Sequence, residues 1–119
     1  MSLQFICQIE NEVAVIKLQG KIIENYDGAA LLEEIDQFTL NGTSNFVLNL
    51  QQLEYINSSG LNTLINILTK SRNTGGDTIL CCINERVSKL FLITKLNTLF
   101  TIAETENEAH KVFSEKLNI

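Results

Sequence analysis

Two neighbouring hydroxyls, Ser58 and Ser59, lie in the segment Tyr55-Ile56-Asn57-Ser58-Ser59-Gly60-Leu61. Asn57, Ser58 and Ser59 are residue types that accept hydrogen bonds from the first free N–H groups of a helix. The positive end of a helix dipole at the same place would suit an anion. Covalent catalysis has no support around Ser58: no Gly-x-Ser-x-Gly turn encloses it, and no Gly-x-x-x-x-Gly-Lys-Ser/Thr phosphate loop occurs. His110, the single histidine, falls near Glu106 and Glu108 in a helical stretch and reads as a solvated helix residue rather than a base. Cys7 stands alone, so metal-ligand spacing is missing. Cys81 and Cys82 sit side by side in an apolar run, where strand neighbours point to opposite faces and cannot easily bond each other or one ion. They read as core-filling thiols of a reducing cytosol. No catalytic residue, metal or cofactor is expected.

The elements that position the two serines follow from periodicity. Phe46 to Leu50 is apolar at nearly every position, a strand covered on both faces. After the serines, Leu61, Leu64, Ile65 and Leu68 recur at i, i+3, i+4, i+7, one face of a helix. Asn62, Thr63, Asn66, Thr69 and Lys70 make up the opposite, water-compatible face. Gly75-Gly76 stops that helix, and reads as a stop rather than a ligand loop with Asp77. The hydroxyls are thus expected on the surface, between a strand end and a helix N-terminus.

The remaining chain is read in the same way. Leu3, Phe5, Cys7 and Ile9 alternate with Gln4, Gln8 and Glu10 as a strand with one apolar face. Asn11-Glu12 turns the chain into a second strand, Val13 to Leu18, ended by Gly20. Lys21 to Asp27 is polar and irregular, with Asn25 and Asp27 as candidate caps. Leu31, Leu32, Ile35 and Phe38 mark a helix stopped by Asn41-Gly42. Thr78 to Ile83 is a buried strand, and Asn84 caps a helix with Val87, Leu90 and Phe91 inside. Leu96, Leu99 and Phe100 lead to a short strand at Thr101-Ile102-Ala103. Thr105-Glu106-Asn107-Glu108 is a capping box for a last helix, with Ala109, Val112, Phe113 and Leu117 facing inward. An opening hairpin followed by alternating strands and helices predicts one α/β domain over residues 1–119, with a mixed, mostly parallel sheet and about four helices.

Bulk composition narrows the partners. The 119 residues are 45% hydrophobic and 19% charged, with a formal net charge of −5, the balance of a single globular domain. No cluster of Lys and Arg provides the basic patch that a nucleic-acid backbone requires, so a protein or small-molecule partner fits better. The first residues lack a basic n-region and a long apolar core, and no apolar run reaches membrane-span length. A cytoplasmic protein without direct membrane insertion is the expectation. Composition leaves the oligomeric state open.

Asn57-Ser58-Ser59-Gly60-Leu61, with Val47-Leu48-Asn49-Leu50 before it and Gly75-Gly76-Asp77 after it, resembles the STAS domain of bacterial anti-sigma factor antagonists. The resemblance continues through Ile79-Leu80-Cys81-Cys82-Ile83 and Val87-Ser88-Lys89-Leu90-Phe91 to the final helix. It implies a non-enzymatic regulatory module that sequesters an anti-sigma factor with serine kinase activity. Ser58 would be the residue phosphorylated, which ends the capture, and a phosphatase is a further implied partner. The contact surface would comprise Asn57, Ser58, Ser59, Gly60 and Asn62, with Lys21 to Asp27 beside it. Asn57 stands where the family usually has aspartate. That departure is compatible with a divergent kinase or with a domain that binds without being phosphorylated. Two other roles remain: a docking subunit of a lipid-transport ABC system without a phosphoswitch, and an enzyme or nucleotide-binding protein with an anion at the helix N-terminus.

Overall fold

A computed structural model describes residues 3–23 and 25–117. The side chains of residues 25, 26, 116 and 117 are not described, so Asn25 as a cap and Leu117 as a core residue lie outside the described set. The chain is a single α/β domain whose five-stranded sheet has the order β1-β2-β3-β4-β5. β1 (Leu3–Glu10) and β2 (Val13–Ile22) form an antiparallel hairpin. β3 (Asn45–Ile56), β4 (Asp77–Cys81) and β5 (Thr101–Ala103) add in parallel. The helices are α1 (Ala29–Leu40), α2 (Ser58–Asn73), α3 (Glu85–Thr94) and α4 (Glu106–Leu117).

The hairpin turn uses Asn11 and Glu12 at φ 53° and 67°, the left-handed pair of a two-residue turn whose twist matches the strands. The two sheet faces then separate by parity. Ala14, Ile16, Leu18, Phe46, Leu48 and Leu80 meet the inward residues of α1, α2 and α3. Val13, Val15, Val47, Ile79 and Cys81 meet Ala109 and Phe113 of α4 on the other face. Three helices therefore lie on one side and one on the other.

β3 is longer than the apolar run suggests, and β2 continues past Gly20 to Ile22. The pairing explains both corrections. Lys17 and Gln19 face Asn49 and Gln52, while Gly20 and Lys21 face Leu53 and Tyr55, so β3 carries extra residues at two bulges. A bulge breaks the period-two pattern and bends the strand. Gln51 and Gln52 are both exposed, after which Leu53 and Ile56 turn back into the core. Gly20 takes φ 101° at this irregularity, a conformation that suits glycine. It passes the strand through the bulge instead of ending it.

In α2 the inward set is Leu61, Leu64, Ile67 and Leu68, with Ile65 half-buried. Thr63, expected to face water, is buried, because its side chain lies against Gly28. A Cβ at Gly28 would stand 2.6 Å from Thr63 Cγ2 and Oγ1. α2 is covered from two sides, by the sheet and by the turn before α1, so its apolar stripe is wider than a surface helix shows. The capping box of α4 forms in modified fashion. Glu108 N donates to Thr105 Oγ1 at 3.1 Å, while Glu108 Oε2 accepts from Glu104 N at 3.1 Å, one residue before the cap.

The β4 reading is also corrected. The strand ends at Cys81, and Cys82 takes φ 58° outside it. Cys81 is buried and Cys82 half-buried, and both pack against the same cluster on the α4 side of the sheet instead of pointing to opposite faces. Burial, then Cys82 and then Glu106 push the Cys81 thiol far above its usual range. His110 is half-buried and not solvated. Its Nε2 is enclosed without a hydrogen-bond partner among the described residues.

Candidate functional site

The end of β3 delivers Ile56 to the core and hands the chain to Asn57, whose extended backbone (φ −113°, ψ −167°) makes it the N-cap of α2. Asn57 Oδ1 accepts from Gly60 N at 3.1 Å, and the Asn57 carbonyl accepts from Leu61 N at 2.9 Å. The cap is therefore Asn57. Ser58 and Ser59, weighed as caps from their type, are the first two residues inside the helix.

Asn57 also works in the opposite sense. Its Nδ2 donates to Ile23 O at 2.7 Å, and its main-chain N–H donates to Ile22 O at 3.3 Å. Ile23 N in turn donates to Asp27 Oδ2 at 3.0 Å. The segment after β2 is thereby pinned to the start of α2 through Ile22 and Ile23, with Asp27 holding Ile23 in turn. The same device recurs one crossover later. Asn84 Oδ1 accepts from Val87 N at 2.9 Å while its Nδ2 donates to Leu53 O at 2.7 Å. In both places a carboxamide caps a helix and ties it to a neighbouring strand. A carboxylate supplies only the acceptor.

Gly60 is buried because the helix start presses on the ends of two strands. A Cβ there would overlap Ile56 Cγ1 and come within 2.9 Å of both Ile22 Cβ and Ile22 O. Of the five residues expected on a contact surface, Gly60 thus shapes the surface from beneath. Ser58 and Asn62 are exposed, and Asn57 and Ser59 are half-buried. Thr63 Oγ1 donates to Ser59 O at 3.3 Å, so Ser59 is tied through its carbonyl. The Ser58 hydroxyl makes no hydrogen bond among the described residues. It stands free on an otherwise fixed frame.

Periodicity alone did not point to the ground beside the serines. An apolar groove of about 300 Å³ runs from Asn57 and Tyr55 to Leu90 and Ile93 of α3. Tyr55 also borders a wider depression with Lys21, Arg86 and Lys89 on its walls, together with Glu54 and Glu85. Tyr55 is 44% exposed and Ile93 78% exposed, unusual apolar area at the end of a sheet. The bulges in β3 that accompany the exposed Tyr55 exist only in the folded sheet, so no sequence signal led there. No group of His, Cys, Asp and Glu among the described residues is arranged to hold a metal ion.

The chain is similar to known proteins over most of its length. The STAS domain family model matches residues 4–109. A protein of Thermotoga neapolitana, provisionally named an anti-sigma factor antagonist and TM1081 homolog, is 33% identical over 100 residues, covering 82% of this chain and 88% of that protein. BtrV of Bordetella bronchiseptica, provisionally named in the same way, is 27% identical over 100 residues, covering 84% of this chain and 85% of its own. The crystal structure of TM1081 from Thermotoga maritima superposes with a TM-score of 0.75 at 28% identity, covering 90% of this chain and 92% of that one.

Proposed function

The chain belongs to the STAS domain family, and on that premise we propose that it is an anti-sigma factor antagonist switched by phosphorylation of Ser58. In its unmodified form it captures an anti-sigma factor with serine kinase activity through Asn57, Ser58, Ser59 and Asn62. The bound kinase then transfers the γ-phosphoryl group of ATP to Ser58 Oγ; the hydroxyl proton is lost, ADP leaves, and the complex separates. A phosphatase resets the cycle. The protein itself catalyses nothing and acts in the cytoplasm. Relatives named as antagonists support the role. The single observation that carries the site is the exposed, unbonded Ser58 hydroxyl on a helix start already capped by Asn57.

Magnitudes favour a switch at the interface over one by unfolding. Phosphate brings about −1.5 to −2 charges, and beside a helix N-terminus such charge stabilises the helix by about 0.3–1 kcal/mol. Releasing a partner a hundredfold takes only about 2.7 kcal/mol. Burying an unmatched charge, or setting it against a like charge, supplies that much. The domain stays folded and the contact fails.

Binding of the anti-sigma factor from the same organism tests the reading by calorimetry. Ser58→Ala should bind as tightly as the unmodified protein. Ser58→Asp should bind at least tenfold more weakly, with an unchanged circular dichroism spectrum. Indifference of binding to Ser58→Asp would contradict the switch and leave a passive docking module.

A further inference from the structure

We propose that the outer edge of β1 is a self-association surface, on which β1 of a second copy of this chain pairs antiparallel about Ile6. The two edges of the sheet differ sharply. β5 has only three residues, and shortness is one way that proteins keep an edge strand from pairing. β1 has eight residues, pairs with β2 without a register shift, and carries no proline or lysine and a single charge, Glu10 at its end. Among the described residues no other guard of that kind lies on this edge.

The backbone of that edge is correctly presented. Glu10 and Val13 close a two-residue hairpin, and such a closing pair exchanges both of its main-chain bonds. By alternation the even residues bond to β2, and Leu3, Phe5, Cys7 and Ile9 turn their N–H and C=O groups outward. Two antiparallel copies therefore bond only in registers that set odd residues opposite odd residues.

The side chains select one such register. Leu3-Gln4-Phe5-Ile6-Cys7-Gln8-Ile9 reads nearly the same from either end. Antiparallel pairing about Ile6 sets Leu3 against Ile9, Gln4 against Gln8, Phe5 against Cys7, and Ile6 against itself. Apolar meets apolar on one face, and amide meets amide on the other. Four odd pairs give about eight main-chain hydrogen bonds. The pairing also covers Ile6 and Ile9, which are 69% and 58% exposed. α4 packs on β3, β4 and β5, so nothing from that helix obstructs the approach. The opposing influence is acidic. Glu33 and Glu34 of α1 border the hollow containing Phe5, and Glu34 adds to the burial that pushes the Cys7 thiol up to about 11. Two α1 helices across the axis repel, so salt should tighten the dimer.

Sedimentation equilibrium of the full chain should show mass rising toward twice the monomer value with concentration, more steeply in high salt. Ile6→Lys should remain monomeric and keep the circular dichroism spectrum of the parent. The register is tested by cross-linking in a Cys7→Ser background with oxidised glutathione. Ile6→Cys places two thiols on directly opposed residues about 4.5 Å apart at Cα, within disulfide reach, and should give a covalent dimer. Gln8→Cys places them four residues out of step, about 13 Å apart, and should not. A wild-type protein that stays monomeric at millimolar concentration would overturn the proposal. Equal cross-linking of both cysteine variants would overturn the register.

Discussion

Asn57 holds two partners that an aspartate could not hold together. Its Oδ1 caps Gly60 N and its Nδ2 binds Ile23 O. Asn57→Asp keeps the acceptor and gains about 0.3–1 kcal/mol from the helix dipole. It also forfeits the exposed hydrogen bond to the Ile23 carbonyl, worth about 0.5–1.5 kcal/mol, and sets a carboxylate against that oxygen, which adds repulsion. Together these losses are larger, so Asn57→Asp should lower stability by up to about 1 kcal/mol. Asn57→Ala should cost about 1–2 kcal/mol through the missing cap and a further part through the untied loop. Urea titrations check the order, and an Asn57→Asp protein more stable than the parent would contradict the double role. Sequence reasoning identified Asn57 as a good cap by type. It could not see the donor bond, because Ile23 is thirty-four positions away and the tie depends on the bulged end of β3.

At the scale of elements, α2 is the lever of the fold. Leu64 is fully buried while Asn62 is exposed. Leu64→Ala should therefore cost about 2–5 kcal/mol and Asn62→Ala less than about 0.5 kcal/mol. Gly60→Ala should cost about 1–3 kcal/mol by overpacking against Ile56 and the Ile22 carbonyl. Equal losses from Leu64→Ala and Asn62→Ala in a denaturant titration would refute the helix register. Helix and strand identities were legible because most apolar stripes keep one period over the middle of the element. The ends were less so. β3 was read as stopping at Leu50 because its bulges put Gln51 and Gln52 side by side in water. Thr63 was placed outside because its cover comes from Gly28, a contact that no helix period encodes. The left-handed turn at Cys82 likewise hid the proximity of its thiol to Cys81.

For the whole molecule, the architecture collects unlike parts at one end of the sheet. The last residues of β2 and β3 meet the N-termini of α2 and α3, and two asparagines fasten those junctions. A chain of net charge −5 nonetheless gathers Lys21, Arg86 and Lys89 around Tyr55 at that end. The sequence made the fold class and the serine motif readable, since both depend on local order. The neighbouring groove was not readable, since residues from β2, β3 and α3 meet there only after folding. No described helix is long and apolar enough to cross a membrane. The most direct measurement of the account is to incubate the protein with its anti-sigma factor and magnesium ATP, then map phosphate by mass spectrometry. The account requires one phosphate, on Ser58, appearing together with loss of the complex. Phosphate confined to Ser59, or a complex that persists with both serines unmodified, would contradict it.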